Sequence, residues 1–422
     1  MLNNLLDVPS ILSNIGSILL AILVLLVMVT VHEFGHYIAG KILKFKINEF
    51  SVGFGPALFS RTSKKTGEKF SLRLIPLGGY CAFEDEEGLA DEAEKDSLKA
   101  PEQEDVFLDE KVTPVPPKKS SGSEKDITQG RFCDQAPWKR IIVLVAGATM
   151  NYLLSLIVIF ISFFSFGQLM LVTYEVAPTA EIASEYCFQD KDVILKADGK
   201  GVFLTNDLMN ALKGREAGEK VEFYVSRITD AETGKREEMD ITVELRRATD
   251  FENSTDVDRL WEALGVAKKT DTSGNVITNE NGNPSYQIYS TSYRFGFFKT
   301  VGNSFVYSFR IAGSIFQVLG ELLMGVLGVD TLGGPVTTIT ATSQILSRGV
   351  QPFLEIVAYI GVNLAVFNLL PIPALDGSKV IFTAIEWVRG KPVNRKVEAI
   401  IHTVGFLLLF GFAILVDILQ FL

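Results

Sequence analysis

The sequence predicts a multi-pass α-helical membrane protein with four transmembrane helices, a β-hairpin or small sheet on the cytoplasmic side, and an extracytoplasmic α/β domain. Three observations predict this class. Hydrophobic residues make up 47% of the 422 residues, they gather in four long apolar segments, and the polar segments between these differ sharply in charge. The length leaves room for a membrane part and at least one soluble part.

Each of the four apolar segments is long enough to span the ~30 Å hydrocarbon core of a bilayer. Their apolar cores are residues 15–38, 141–164, 356–385 and 404–419, inside predicted spans of 1–42, 131–166, 353–388 and 400–422. The third segment is interrupted by "PIP". The first has no basic start and no A-x-A cleavage site, so we expect it to be retained as a helix. Four such segments argue against the alternative, the buried helices of a soluble protein.

Lysine and arginine near the ends of the spans predict their orientation. They gather at one set of ends, with Arg348 before the third span as the exception: Lys41, Lys44, Lys46, Lys139, Arg140, Arg389, Lys391, Arg395 and Lys396. By the positive-inside rule both termini are extracytoplasmic, residues 43–138 and 386–402 are cytoplasmic, and residues 165–350 are outside. We therefore expect a multi-pass protein of the cell membrane with the lipid bilayer around it.

Residues 43–83 are predicted to form a membrane-associated β-region. In "EKFSLRLIPLGGYCAF" (68–83), apolar and polar residues alternate as in a strand until Pro76, Gly78 and Gly79 interrupt the pattern. An exposed edge strand here could bind an extended peptide by β-addition. The alternative is an ordinary cytoplasmic hairpin.

Residues 84–130 are predicted to be an acidic, flexible cytoplasmic loop. They contain fifteen acidic and six basic residues, a composition typical of a solvated segment. A specific acidic docking site is the alternative. The negative charge argues against nucleic acid as a partner.

Residues 168–290 show the pattern of a soluble α/β module. "DVILKADGKG" indicates a strand and turn, "TNDLMNALKG" a short helix, and "KVEFYVSRI" with "DITVELRRA" two paired strands. Residues 296–350 are predicted to follow as an amphipathic extracytoplasmic segment of one or two helices lying against the membrane.

The motif "HEFGH" lies at the end of the first apolar segment, where ionisable side chains are unfavourable. His32 and His36 are four residues apart, so a helix places both on one face, where they can bind one metal ion. Glu33 can then act as general base on a water that zinc has acidified. The alternative is a chance match in an ordinary helix. That alternative must also explain three titratable groups in an apolar span.

A catalytic zinc needs a third protein ligand and an open position. The best candidate is Asp376 in "NLLPIPALDG", because Pro371 and Pro373 should unwind the helix just before it. His402 is the other histidine, and we expect it to be interfacial or packed. The alternative role of Asp376 is a helix-end cap. His32, His36 and Asp376 all fall near the cytoplasmic ends of spans that run in the same direction, so they can meet.

The paired motifs resemble those of the site-2 proteases, which are intramembrane zinc metalloproteases. The four-span plan with a soluble insert after the second span resembles the bacterial branch, of RseP or RasP type, that cleaves anti-sigma factors. The resemblance covers nearly the whole chain. It implies that His32, His36 and Asp376 bind Zn2+, that Glu33 is the catalytic base, and that Asn368 helps to hold the substrate backbone.

The same resemblance implies a re-entrant β-loop after the first span, and residues 168–290 resemble a single PDZ domain. Gly78 and Gly79 in the strand, with Pro371 and Pro373 in the helix break, are therefore candidate substrate-binding residues.

Two positions depart from the family pattern. Ala148 stands in "AGATMN" where proline is usual, and Ser378 makes "LDGSK" of the commoner LDGG. Neither position is a predicted ligand, so the departures affect local geometry rather than the expected chemistry.

The predicted function is an intramembrane zinc endopeptidase that cleaves single-span membrane proteins near the cytoplasmic face. Anti-sigma factors and signal-peptide remnants are examples of such substrates in regulated intramembrane proteolysis. Two other classes are a non-catalytic PDZ-bearing membrane scaffold and a metal transporter. Glu33 argues against the scaffold, since holding zinc needs no carboxylate there. A transporter should show internal repeats and ligands on both sides of the midplane, and the sequence shows neither.

Overall fold

The computed structural model describes residues 8–84, 130–174, 176–253, 256–278, 284–328, 332–346 and 348–421. The predicted acidic loop, 84–130, lies outside these residues except at its two ends. The chain forms two compact units. Unit 1 comprises Met1–Ala21, Tyr152–Val366 and Ala413–Leu422, and unit 2 comprises Ile22–Asn151 and Phe367–Phe412.

The longest helices of the described residues are apolar. The helices are α1 (Val8–Ile42), α2 (Pro137–Phe166), α3 (Thr205–Leu212), α4 (Val257–Ala263), α5 (Phe297–Leu323), α6 (Pro335–Leu346), α7 (Val350–Leu369), α8 (Asp376–Arg389) and α9 (Arg395–Phe421). Four of those described, α1, α2, α7 and α9, are long and apolar enough to cross a membrane. They coincide with the four apolar segments of the sequence.

The predicted third span, residues 353–388, consists of two helices rather than one. Helix α7 ends at Leu369 and helix α8 begins at Asp376. Pro371 and Pro373 lie between them and lack the backbone N–H that a continuing helix needs. The helix break therefore occurs at the predicted place and leaves Asp376 at the first position of a new helix.

Two spans begin at positions that differ from the prediction. Helix α9 begins at Arg395 instead of residue 400, because the Lys396 N–H donates a hydrogen bond of 3.0 Å to Asn394 Oδ1, as at a helix N-cap. Helix α2 begins at Pro137 instead of residue 131. Proline is favoured at a first helical position because the missing N–H would have no partner there.

The predicted β-region of unit 2 is a sheet of two long strands, β1 (Ile47–Thr62) and β2 (Lys69–Phe83). Both strands bend, so residues 49–52 of β1 pair with 79–82 on one side and with 69–72 on the other. Residues 69–72 also pair with residues 59–62. The first half of β2 is therefore interior to the sheet and cannot accept an added strand. The segment 79–82 pairs on one side only with the described strands.

Aromatic packing anchors this sheet. The rings of Phe45, Phe83 and Phe132 lie 5.4–5.7 Å apart, centre to centre. They share a buried cluster with Val143 and Leu144 of α2. The end of β2 is thus packed against both α1 and α2, which positions its free edge.

The α/β module of unit 1 is built on a second sheet with the strand order β7-β6-β4-β3-β8 and β5 paired to β4. Its strands are β3 (Gln168–Thr173), β4 (Asp192–Ala197), β5 (Lys200–Gly201), β6 (Lys220–Asp230), β7 (Lys235–Glu244) and β8 (Ile288–Tyr293). The paired strands predicted from "KVEFYVSRI" and "DITVELRRA" are β6 and β7. The sheet ends at Tyr293, three residues beyond the predicted boundary, because β8 pairs with β3 along its whole length.

Helix α5 follows the sheet directly. Its buried side includes Ile311 and Ile315, which pack with Ile159 of α2 and with Ala358 and Val362 of α7. Its exposed side is also apolar, with the large side chains Phe298, Phe305, Phe309 and Phe316. The predicted amphipathic segment, 296–350, is therefore a helix that packs on two spans, followed by the shorter helix α6.

Candidate metal centre

The two histidines of α1 point to one place. His32 and His36 are each 7% exposed, and their Nε2 atoms are 3.1 Å apart. The helix brings them together because residues four apart lie one turn above each other on the same face.

Asp376 joins the two histidines from the helix break. Its Oδ2 atom lies 2.9 Å from His32 Nε2 and 3.2 Å from His36 Nε2. Gly377 follows it and is buried, and a Cβ there would overlap the carbonyl of Leu370 at the end of α7. The absence of a side chain at Gly377 lets α8 begin close to the end of α7, which places Asp376 beside α1.

Helix α2 forms the third wall. The Val143 carbonyl accepts a hydrogen bond of 2.8 Å from His36 Nδ1, so the lone pair of His36 lies on Nε2, facing the other donors. Gly147, one turn along α2, has no side chain between the helix and the imidazoles. A Cβ there would lie 2.7 Å from His32 Nε2 and would overlap His36. Gly147 was not predicted from the sequence, where the only indication of its importance was its place in the motif "AGATMN".

The three donors fit a zinc ion. Two imidazole nitrogens and one carboxylate oxygen are a donor set typical of catalytic zinc, which leaves a fourth position open. Ligands about 2.0–2.2 Å from a tetrahedral ion are separated from one another by roughly 3.3 Å. The donor atoms of His32, His36 and Asp376 are 2.9–3.2 Å apart, so they need to move little to hold the ion.

Glu33 lies beside this cluster and next to the sheet. It is half-buried, and its Cγ lies 3.5 Å from the position that a Cβ on Gly79 would take. Gly79 belongs to the segment of β2 whose outer edge has no partner strand among the described residues. A Cβ on the neighbouring Gly78 would overlap the ring of Phe54. The Glu33 side chain is therefore adjacent to Gly79 in this segment.

Comparison with known proteins identifies the family. The model of peptidase family M50 matches residues 20–412. The chain belongs to peptidase family M50. This membership confirms the predicted metalloendopeptidase class, zinc as the metal, and a membrane protein.

Relatives of this M50 peptidase match it over most of their length. A protein of Brucella suis biovar 1 (strain 1330) named as a zinc metalloprotease is 28% identical over 400 residues, which cover 94% of this chain and 93% of the relative. The zinc metalloprotease RasP of Oceanobacillus iheyensis is 29% identical over 443 residues, with 91% and 93% covered. A protein of Clostridium perfringens (strain 13 / Type A), also named as a zinc metalloprotease, is 28% identical over 406 residues, with 95% and 97% covered.

Three of the candidate substrate-binding residues of the M50 chain lie around the helix break. Asn368 is half-buried in the last turn of α7, and Pro371 is exposed just after it. Pro373 packs against helix α9, where a Cβ on Gly405 would overlap it. The loop at the helix break therefore contacts α9 through Pro373, whereas Pro371 is exposed.

The two departures from the family pattern fit the structure. Ala148 is 1% exposed within the uninterrupted helix α2, so no proline kink occurs there. Ser378 is buried, and its hydroxyl donates a hydrogen bond of 2.7 Å to the Leu375 carbonyl. Both residues are compatible with the observed cluster of donors.

Proposed function

We propose that this M50 peptidase is an intramembrane endopeptidase that cuts single-span membrane proteins inside the bilayer. The observation that carries this proposal is that three zinc donors, a neighbouring carboxylate and an unpaired strand edge come together in unit 2. The donors lie on or beside membrane-spanning helices. The bond that this site cuts therefore lies within or close to the membrane part of its substrate.

His32, His36 and Asp376 hold the zinc ion in this proposal. When bound, zinc supplies Lewis acidity that polarises the scissile carbonyl and acidifies water. Glu33 accepts a proton from the attacking water on a carboxylate oxygen and delivers it to the leaving amide nitrogen. The position of Glu33, next to His32 in the chain and turned towards Gly79, suits a base better than a fourth ligand.

The free edge of β2 binds the substrate as an added strand. A peptide bond in a helix is poorly accessible, because its backbone groups are already hydrogen-bonded, so the substrate must be extended before it is cut. Backbone groups of residues 79–82 can pair with such an extended segment. Gly79 has no side chain that would separate the segment from Glu33, and Asn368 contributes a further hydrogen bond to the substrate backbone.

The distribution of Lys and Arg supports the orientation. Both termini are extracytoplasmic, and the metal centre lies near the cytoplasmic side, where Lys41, Lys44 and Lys46 follow the HEFGH motif. The α/β module, predicted to be PDZ-like, is then extracytoplasmic. Anti-sigma factors and signal-peptide remnants are the single-span substrates that we propose for this orientation.

The substitution Glu33→Gln tests the proposal most directly. We expect the variant to retain about one zinc per chain and to lose cleavage of a tagged transmembrane peptide by about 10²–10⁴-fold, the usual contribution of a general base. His32→Ala is the matched comparison, because it should lose zinc and cleavage together. Turnover close to wild type in Glu33→Gln would show that another group is the base.

A further inference from the structure

Helix α9 supports the loop between α7 and α8 at two points close to Asp376. His402 Nδ1 accepts a hydrogen bond of 3.1 Å from the Ala374 N–H. Three residues along the same helix, Gly405 lies so close to Pro373 that a Cβ there would overlap the proline ring. Both supported residues precede Asp376 in the loop by two or three positions.

Ala374 has an unfavourable backbone conformation. Its φ angle is +77°, in the left-handed region where the Cβ of an L-residue crowds the backbone and which glycine adopts more readily. Without compensation this residue would tend to relax towards negative φ. Such a relaxation would turn the chain just before Asp376 and move its carboxylate away from the histidines of α1.

The His402 ring is oriented so that its hydrogen bond to Ala374 can offset this backbone strain. Because Nδ1 accepts the hydrogen bond, the ring is neutral with its proton on Nε2. Nε2 is buried and lies 3.9 Å from Glu398 Oε1, and Phe382 of α8 contacts the ring at a centroid distance of 5.8 Å. The imidazole is thus packed with Nδ1 towards the loop, and His402 is not part of the donor cluster of His32, His36 and Asp376.

We propose that His402 is a positioning residue for the metal ligand Asp376. By accepting the Ala374 N–H, His402 holds the loop in the left-handed conformation that directs the Asp376 carboxylate to the two histidines. This inference rests on the proposed zinc site and adds a residue of α9 to it.

Three substitutions separate the hydrogen bond from the packing of the ring. His402→Phe keeps an aromatic ring and removes the acceptor, whereas His402→Asn keeps an acceptor near the position of Nδ1. Ala374→Gly removes the backbone strain. We expect His402→Phe to weaken zinc binding about tenfold in competition with a chelator, at the lower end of the effect of residues that orient metal ligands. His402→Asn should retain most of the affinity, and Ala374→Gly added to His402→Phe should restore most of it.

A second pair of variants tests the other contact between α9 and the loop, that of Gly405 with Pro373. Gly405→Ala should displace Pro373 and weaken zinc binding as well. Gly411→Ala is the matched control on the same helix, because a Cβ there meets nothing within 4 Å. The absorption spectrum of the Co2+-substituted protein reports the geometry of the ligands. It should change in His402→Phe and Gly405→Ala and stay unchanged in Gly411→Ala.

The outcomes distinguish this inference from the proposed site. Wild-type zinc affinity and an unchanged cobalt spectrum in His402→Phe, alongside zinc loss in His32→Ala, would overturn the role of His402 alone. Retention of zinc by His32→Ala would instead overturn the proposed site. A loss of affinity in His402→Phe that Ala374→Gly does not repair would mean that the ring acts through packing, and the positioning role would be wrong.

Discussion

At the residue scale, the space around the donors depends on Gly147. This residue of α2 faces both imidazoles, and a Cβ there would lie 2.7 Å from His32 Nε2 while overlapping His36. A methyl group on a packed helix cannot move aside without shifting the helix or the imidazoles. The absence of a side chain at this position is therefore a condition for the proposed metal site.

We expect Gly147→Ala to lower zinc affinity by tenfold or more, as the loss of residues that orient metal ligands does, at about 10–100-fold. The overall fold should persist, because alanine is a better helix former than glycine. Zinc content after dialysis against a chelator measures the effect, and thermal unfolding reports the fold. Gly16→Ala on α1 is the control, since a Cβ there meets nothing within 4 Å. Equal zinc content in Gly147→Ala and Gly16→Ala would show that a Cβ at position 147 does not crowd the imidazoles.

At the scale of elements, Asp417 ties helix α9 to helix α6. It is 9% exposed, and its carboxylate accepts hydrogen bonds from the backbone N–H groups of Val336 and Thr337 at 3.0 and 3.1 Å. The Thr337 hydroxyl donates a third at 3.0 Å. A carboxylate at the start of a helix satisfies N–H groups that have no partner inside the helix. The acidic residue in an apolar span is thus explained by a cap between two helices.

Asp417→Ala should destabilise unit 1 by about 1–2 kcal/mol, the upper part of the range for losing an N-cap. Asp417→Asn should have a smaller effect, because asparagine is also a good N-cap. The midpoint of thermal unfolding in detergent measures both. Zinc affinity should not change, since the proposed ligands lie in unit 2. An Asn variant as unstable as the Ala variant would show that the charge matters more than the hydrogen bonds.

At the scale of the whole molecule, the α/β module is inserted between α2 and α5 at two adjacent points. Gln168 and Tyr293 are paired at the ends of β3 and β8, and Arg294 donates a hydrogen bond of 3.0 Å to the Ser165 carbonyl. Strand β8 also covers one edge of β3 over six residue pairs, which closes that edge to an incoming peptide. Exclusion of substrates by size, rather than binding of their peptide ends, stays our prediction for this module.

Replacing residues 168–293 with a short Gly/Ser linker should therefore remove a filter that excludes large substrates. We expect the variant to cleave model substrates that carry a large outer domain, which the full chain rejects, while substrates with a small or no outer domain are cleaved by both. The measurement is the extent of cleavage for the three substrates, with zinc content as the control for an intact site. If the deletion variant rejected the substrate with the large outer domain as strongly as the full chain does, the α/β module would not be the size filter.

Local patterns in the sequence were sufficient for much of this protein. The four spans follow from runs of apolar residues, and the pairing of His32 with His36 follows from a separation of four residues on one helix. Pro371 and Pro373 predicted the helix break because proline acts on its own turn. Asp376 lies 344 residues from His32, and it could be proposed as the third ligand because it follows this break at a matching depth.

Only the tertiary structure decided what depends on the packing of distant elements. Val143 and Gly147 reach the histidines because α2 packs beside α1, and His402 reaches Ala374 because α9 lies against the helix break. The inward folding of β2, which leaves one short segment with a free edge, likewise depends on the bends in both strands. Such contacts leave no periodic signal in the chain, because they are set by which helices and strands become neighbours rather than by the spacing of residues within one of them.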